Sequence, residues 1–249
     1  MNYSVEATRV TPALIIYLID CSYSMGEELE GKRKIEHVQD AMNQVLRRMV
    51  QRSTKGEIVS PRYRLGLIAY NSQPYDVLGG IQTITDVVAK GTPQFDPSGS
   101  TDTAGAFAYA RDLLKQELPK IADSPAPMIC HLTDGEYNTA DPEPIAKEIM
   151  GLSTNDGPVL IENIYVAPNL TTSPVTEPAS WPGIMDISDL SNDYAKKLYE
   201  MSSPLPQSYA KMIHQEEYSL QPGARMLIPG DSYDLIELAF AMSGATPTT

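Results

Sequence analysis

The chain has 249 residues, 42% of them hydrophobic, with 32 Asp plus Glu against 19 Lys plus Arg and a formal charge of −13. That apolar share suffices for the core of one large α/β domain or two small ones, so disorder is set aside. A field of this sign repels phosphate backbones and anionic lipid, which excludes nucleic acid and membrane surfaces as partners and favours cations.

The opening stretch MNYSVEATRVTPALIIYLID has no basic n-region, and Asp20 breaks its apolar run. It predicts neither a signal peptide nor a membrane span, and hence a cytoplasmic protein. Ala13 to Ile19 is continuously apolar, the pattern of a strand covered on both faces, and Cys21 follows it. Next, Ile35, Val38, Met42, Val45, Leu46 and Met49 recur at three- and four-residue spacing, predicting a helix with Lys34, Arg47 and Arg48 on its polar face. Arg64 to Tyr70 reads as a second buried strand. Tyr75 to Thr85, with a Gly-Gly pair between β-prone runs, reads as an edge strand or hairpin.

A second helix is predicted over about Thr103 to Ala122, with Phe107, Ala110, Leu114 and Leu118 facing inward. Pro127 to Thr133 makes a third strand, and Pro142 opens a helix running to about Leu152. Val159 to Ala167 makes a fourth strand. Residues 168–183 are rich in Pro, Thr and Ser and read as an irregular excursion in which Trp181 serves either as a packed lid or as an exposed anchor. Ser188 to Met201 and Tyr233 to Ser243 read as helices, Ala224 to Ile228 as a short last strand, and 244–249 as a flexible tail. The second cysteine, Cys130, lies inside an apolar run like the first, so both are expected as buried thiols in a reducing compartment.

Buried strands alternating with amphipathic helices imply a three-layer, Rossmann-like α/β/α sandwich around a mostly parallel sheet. In such a sheet the ligand crevice lies beyond the carboxyl ends of the strands. Three segments fall there. Asp20-Cys21-Ser22-Tyr23-Ser24 follows the first strand, Gly99-Ser100-Thr101-Asp102-Thr103 precedes the second helix, and Thr133-Asp134-Gly135 ends the third strand. Singly, each is readable as a helix cap or a turn. Jointly they offer two carboxylates and three hydroxyls with no His or Cys, an oxygen set that suits Mg²⁺, Mn²⁺ or Ca²⁺ and disfavours Zn²⁺. His37, His131 and His214 are too scattered for a metal cluster, and His131 is expected as a hydrogen-bonded core residue.

These residues resemble the metal-ion-dependent adhesion site of the von Willebrand factor A domain, which reads D-x-S-x-S, then a distant Thr, then a distant Asp. The resemblance covers about residues 12–167, with a weaker echo in RMLIPGDSYDLIELAF, and implies that fold with one antiparallel edge strand. It implies one such domain over 1–243 with an irregular insertion around 168–223. It further implies that Ser22, Ser24 and Thr101 bind Mg²⁺, or alternatively Mn²⁺ or Ca²⁺, through their hydroxyls. Asp20 and Asp134 would act directly or through water, and an Asp or Glu carboxylate of another protein would complete the shell. Cytosolic bacterial members often accompany ATPases, chelatases, or phosphatase and kinase partners, so an accessory or scaffold subunit of such an assembly is implied.

The chain departs from the family pattern at Tyr23, where many members have Gly, and at Asp102, where a neutral residue is common. Glu27, Glu28, Glu30 and Glu136 are near in sequence; pointing inward they would raise cation affinity and repel an acidic ligand. The alternative function is a Mg²⁺-dependent phosphotransferase or hydrolase using Asp20. No Lys or Arg lies in the three segments, and no Walker loop or G-x-S-x-G elbow occurs, so a non-enzyme is expected.

Overall fold

The computed structural model describes residues 3–91 and 93–244. Among these, seven strands form one sheet: β1 (Ala13–Asp20), β2 (Tyr63–Tyr70), β3 (Pro74–Asp76), β4 (Gln82–Thr83), β5 (Met128–Thr133), β6 (Leu160–Tyr165) and β7 (Leu227–Pro229). Every residue of β1 is buried. A strand with no exposed face has to be paired along both edges and covered above and below. β1 accordingly pairs in parallel with β2 on one side and with β5 on the other. The spatial order is β7-β6-β5-β1-β2-β3, with β4 also on β2, and every pair is parallel except β2–β3 and β2–β4. The sheet is therefore mostly parallel with an antiparallel edge.

Among the described residues, seven α-helices cover it: α1 (Lys34–Ser53), α2 (Ile84–Lys90), α3 (Thr103–Glu117), α4 (Glu143–Met150), α5 (Asp193–Glu200), α6 (Gln207–Gln215) and α7 (Tyr233–Ser243). The stripe Ile35, Val38, Met42, Val45, Leu46 and Met49 on α1 packs with residues of α2, α6 and α7 against Ile15, Tyr17 and Ile19 of β1. The alternate residues Leu14, Ile16 and Leu18 face Phe107, Ala110 and Leu114 of α3 and Ala146 and Ile149 of α4. Period two in β1 and period three to four in the helices thus divide one chain into three layers.

Several local outcomes differ from the sequence reading. α3 stops at Glu117 and passes into a 3₁₀ turn over Leu118–Lys120, because Pro119 has no N–H for the next helical bond, and Leu118 is only half-buried. Tyr75 to Thr85 supplies two short strands that pair with β2 and not with each other. Between them Asp76 accepts N–H bonds from Leu78, Gly79 and Gly80, and both glycines have positive φ. α5 begins at Asp193, where the Asn192 side chain caps the Ala195 N–H, while Ser188 belongs to a separate 3₁₀ turn. The last strand is Leu227–Pro229. α2 and α6 are too short to show a clear period in the sequence. Trp181 is half-buried against the main core and against the smaller cluster around Leu170, Tyr194 and Leu227. Of the tail expected over 244–249, residues 245–249 lie outside the described residues.

Two buried titratable groups sit on opposite faces of the sheet. His131 of β5 and Asn163 of β6 are paired in register and point toward α3 and α5. Tyr70 lies 2.7 Å from His131 Nε2, and His131 Nδ1 lies 2.7 Å from Asn163 Oδ1. The Asn163 amide donates onward to Ser202 Oγ and the Met201 carbonyl, so its oxygen faces the ring and His131 is neutral with the proton on Nδ1. Burial pulls its pKa down to about 4, against an opposing bond from Asn163. Glu162 is also fully buried, on the face toward α7, and burial pushes its carboxyl well above the usual range, with only the Cys130 thiol opposing.

The signs of their pH linkage are opposite. The unfolded chain takes up the His131 proton near pH 6.5 and the native chain only near 4, so this stabilisation is complete above pH 6.5 and lost as pH falls toward 4, on the order of 3 kcal/mol in all. The native chain holds the Glu162 proton more tightly than the unfolded one, so stability is lost as pH rises above about 4.5. In urea unfolding between pH 4 and 8, Glu162→Gln should gain stability over the parent as pH rises. His131→Gln should lose less than the parent as pH falls from 6.5 to 4. Parallel pH profiles for parent and variants would contradict both assignments.

Candidate metal centre

The chain leaves β1 for β2 on one side and later places β5 on the other, so the carboxyl ends of β1 and β5 flank the point where connections reverse direction. Asp20 is the last residue of β1, and Thr133 and Asp134 end β5 and follow it. The Thr133 hydroxyl donates to Asp20 Oδ2 at 2.7 Å and the Ser22 N–H donates to Asp20 Oδ1 at 2.8 Å. Ser22 is extended and opens a 3₁₀ turn over Tyr23–Gly26, which returns Ser24 to the same side; the two hydroxyl oxygens are 3.2 Å apart. Ser24 in turn donates to Asp134 Oδ1 at 2.7 Å.

Thr101 is buried and held from the neighbouring loop, its N–H donating to Asn138 Oδ1 and its carbonyl accepting the Asn138 N–H, both at 3.0 Å. The segment before it is tied to the first loop by Tyr23 N–H to the Gly99 carbonyl at 3.1 Å and Ser98 N–H to the Cys21 carbonyl at 2.8 Å. Asp20, Ser22, Ser24, Thr101 and Asp134 thus lie on three segments bonded pairwise at one sheet edge.

Asp20 is fully buried and has no cationic partner among these bonds. Burial lifts its carboxyl to about 6, against the hydrogen bonds from Thr133 and Ser22. Asp134 is different. Its second oxygen accepts from Lys34 Nζ at 2.8 Å, and the same ammonium reaches Glu27 Oε2 at 2.9 Å and the Ser24 carbonyl at 3.4 Å. Burial works against the Lys34 charge, yet the bonds to Asp134 and Glu27 outweigh it and leave the pKa raised.

Lys34 is the residue that sequence reasoning missed, since helical spacing placed it on the polar face of α1. Glu28–Leu29 and Lys32–Arg33 form a small hairpin about Glu30 and Gly31, both at positive φ, and the Lys34 N–H returns to the Glu27 carbonyl at 2.9 Å. The Glu-Gly dipeptide was the available signal: a two-residue turn there sets Lys34 opposite Glu27 at the mouth of the site.

The acidic residues near the motif do not crowd inward. Asp102 caps α3, accepting the Gly105 N–H at 3.1 Å and the Thr139 hydroxyl at 2.8 Å, and a Cβ on Gly105 would collide with that carboxylate. Glu27 is taken by Lys34, and Glu28, Glu30 and Glu136 are exposed. Tyr23 is 77% exposed between the two serines in sequence.

Among the described residues, no three His, Cys, Asp or Glu side chains gather to hold a metal. A cation here would be shared by hydroxyls and two carboxylates, a hard-oxygen set that the serine, threonine and aspartate positions fit. His37 and His214 are bonded to the carbonyls of Leu29 and Leu220 and His131 lies in the core, so no imidazole stands beside Ser22 or Ser24 as a base.

Residues 15–136 match the sequence profile of the von Willebrand factor type A domain, a span that contains all five site residues. No curated protein matches the chain in sequence. Among solved structures, the pilus adhesin SpaC from Lactobacillus rhamnosus GG has a TM-score of 0.59 at 12% identity, over 97% of this chain and 31% of that one. Proximal thread matrix protein 1 from the mussel byssus has a TM-score of 0.53 at 14% identity, over 96% and 48%. The SpRpn10 VWA domain has a TM-score of 0.52 at 14% identity, over 91% and 92%. The chain spans less than half the length of the pilus and byssus proteins, including 39% of the vWF domain chain of the pilus tip protein Mfa5 from Porphyromonas gingivalis. These similarities are of fold. The architecture is therefore that of the von Willebrand factor A domain, whose sequence profile residues 15–136 match.

Proposed function

We propose that this chain is a metal-dependent protein–protein interaction module in which Asp20, Ser22, Ser24, Thr101 and Asp134 hold one divalent cation, Mg²⁺ or alternatively Mn²⁺ or Ca²⁺. The observation that carries the reading is the pairwise bonding of three separate segments, which sets two serine hydroxyls between two buried aspartates at the sheet edge. A bound cation supplies an open coordination position for an Asp or Glu carboxylate of a partner protein. Asp20, Asp134 and buried Ser22 lie deep in the site, half-buried Ser24 presents oxygen nearer its mouth, and exposed Tyr23 offers a large amphipathic contact beside it.

The role is that of an accessory or scaffold subunit in a bacterial cytosolic complex, such as an ATPase or a phosphatase and kinase assembly. Two free, buried cysteines support a reducing compartment. The names of the structural relatives, a pilus adhesin and a thread matrix protein, fit a binding rather than a catalytic use of the fold.

One observation favours the second reading, a Mg²⁺-dependent phosphotransferase or hydrolase: Lys34 is a fixed cation beside Asp134. Against it, the proposed nucleophile Asp20 is fully buried with both carboxylate oxygens already accepting hydrogen bonds. Hydrolysis of p-nitrophenyl phosphate with Mg²⁺ should stay at background; turnover that Asp20→Asn abolishes would replace the binding reading.

Mg²⁺ or Mn²⁺ in about hundredfold excess over its Kd should raise the thermal midpoint by roughly 5–10 °C, since binding to the folded state alone contributes about 2.7 kcal/mol. The double variant Ser22→Ala, Ser24→Ala should show no such rise. A parent midpoint unchanged at millimolar metal would refute the site.

A further inference from the structure

We infer that Lys34 sets the charge balance of the metal centre, weakening its hold on the cation while strengthening its hold on an acidic ligand; this rests on the reading of the site as a metal centre. Lys34 is not a surface lysine that happens to lie near. It is the first residue of α1, its side chain is 9% exposed, and its three N–H donors meet Asp134 Oδ2, Glu27 Oε2 and the Ser24 carbonyl. A rotamer-rich cation is immobilised this completely only where its partners are fixed, and Asp134 is itself pinned by the Ser24 hydroxyl on its other oxygen.

The consequence is electrostatic. Asp20 and Asp134 bring two negative charges, which would neutralise a divalent cation and leave nothing to attract a third carboxylate. Lys34 cancels the charge of Asp134, so the loaded site keeps one net positive charge. The ammonium repels the incoming metal ion at close range, so the metal binds less tightly than two free carboxylates would allow. The same field then acts on a ligand carboxylate with the opposite sign. Glu27 moderates the effect from the solvent side, its side chain being 63% exposed and its charge screened.

The two effects separate experimentally because they move in opposite directions. Lys34→Met keeps the aliphatic stem and removes the charge. In calorimetric titration with Mn²⁺ it should bind the ion about tenfold more tightly than the parent. Acetate, followed through the water-proton relaxivity of the Mn²⁺-loaded protein, should displace metal-bound water about tenfold less readily. Glu27→Gln should move both affinities the other way by a smaller factor. A lysine with only a structural part would lower the thermal midpoint and leave both affinities where they were.

Unchanged affinities in a folded Lys34→Met, or a shift of both in the same direction, overturn the inference. If that variant does not fold, Glu27→Gln decides: opposed shifts support the inference and identical affinities overturn it. Parent protein that takes up Mn²⁺ with variants indistinguishable from it removes only this inference; failure of parent and both variants to bind Mn²⁺ removes the proposed function as well.

Discussion

A strand buried on every residue can only lie inside a sheet, and Ala13–Asp20 is such a strand. Its central place decides what stands on either side, which helices cover it, and where its last residue emerges. Asp20 is carried by that packing to the carboxyl edge between β2 and β5, where it is sealed from solvent and held by Thr133 and the Ser22 N–H. The rest of the site is arranged around a carboxylate that the core has already fixed. Loops that would otherwise be variable are bonded to one another through Tyr23, Gly99, Thr101 and Asn138. The hydroxyls are therefore already ordered by folding, and on the proposed reading an arriving ion would find little left to arrange.

Two aspartates at one edge solve the same burial problem differently. Asp134 has a lysine and a serine to share its charge, whereas Asp20 has only neutral hydrogen-bond donors and a carboxyl drawn up to about 6. The asymmetry leaves one aspartate beside a cation and the other buried with neutral donors alone. The sheet beneath carries a similar contrast, with a neutral histidine in a closed hydrogen-bond chain on one face and a nearly unpartnered glutamic acid on the other.

Long apolar runs made β1, β2, β5 and β6 legible in the sequence, because a buried strand has no polar alternative. α1 was legible because six apolar residues at helical spacing leave no second reading. The site segments followed once the strand ends were placed. What escaped was set by contacts between distant residues or by short elements. α2 and α6 are one-sided helices of seven and nine residues whose period is too brief to stand out. Lys34 escaped for a sharper reason: helical spacing ranks it with Arg47 and Arg48, and only the turn at Glu30 and Gly31 brings it to Asp134, one hundred residues away. Asp102 reads in the sequence as an extra acid at the motif, yet its backbone position at the start of α3 turns it into a cap.

Both margins of the sheet are brief and carry a proline. β3 opens with Pro74 and has three residues, β4 has two, and β7 closes with Pro229 after Leu227 and Ile228. An incoming strand would find few free N–H groups in a row on either margin, and a proline interrupting them. Lateral growth into fibrils or strand-swapped polymers is thereby discouraged even at high concentration. On the proposed reading, higher-order assembly is left to the loop-bearing end, where association would answer to the supply of divalent ions rather than to backbone pairing.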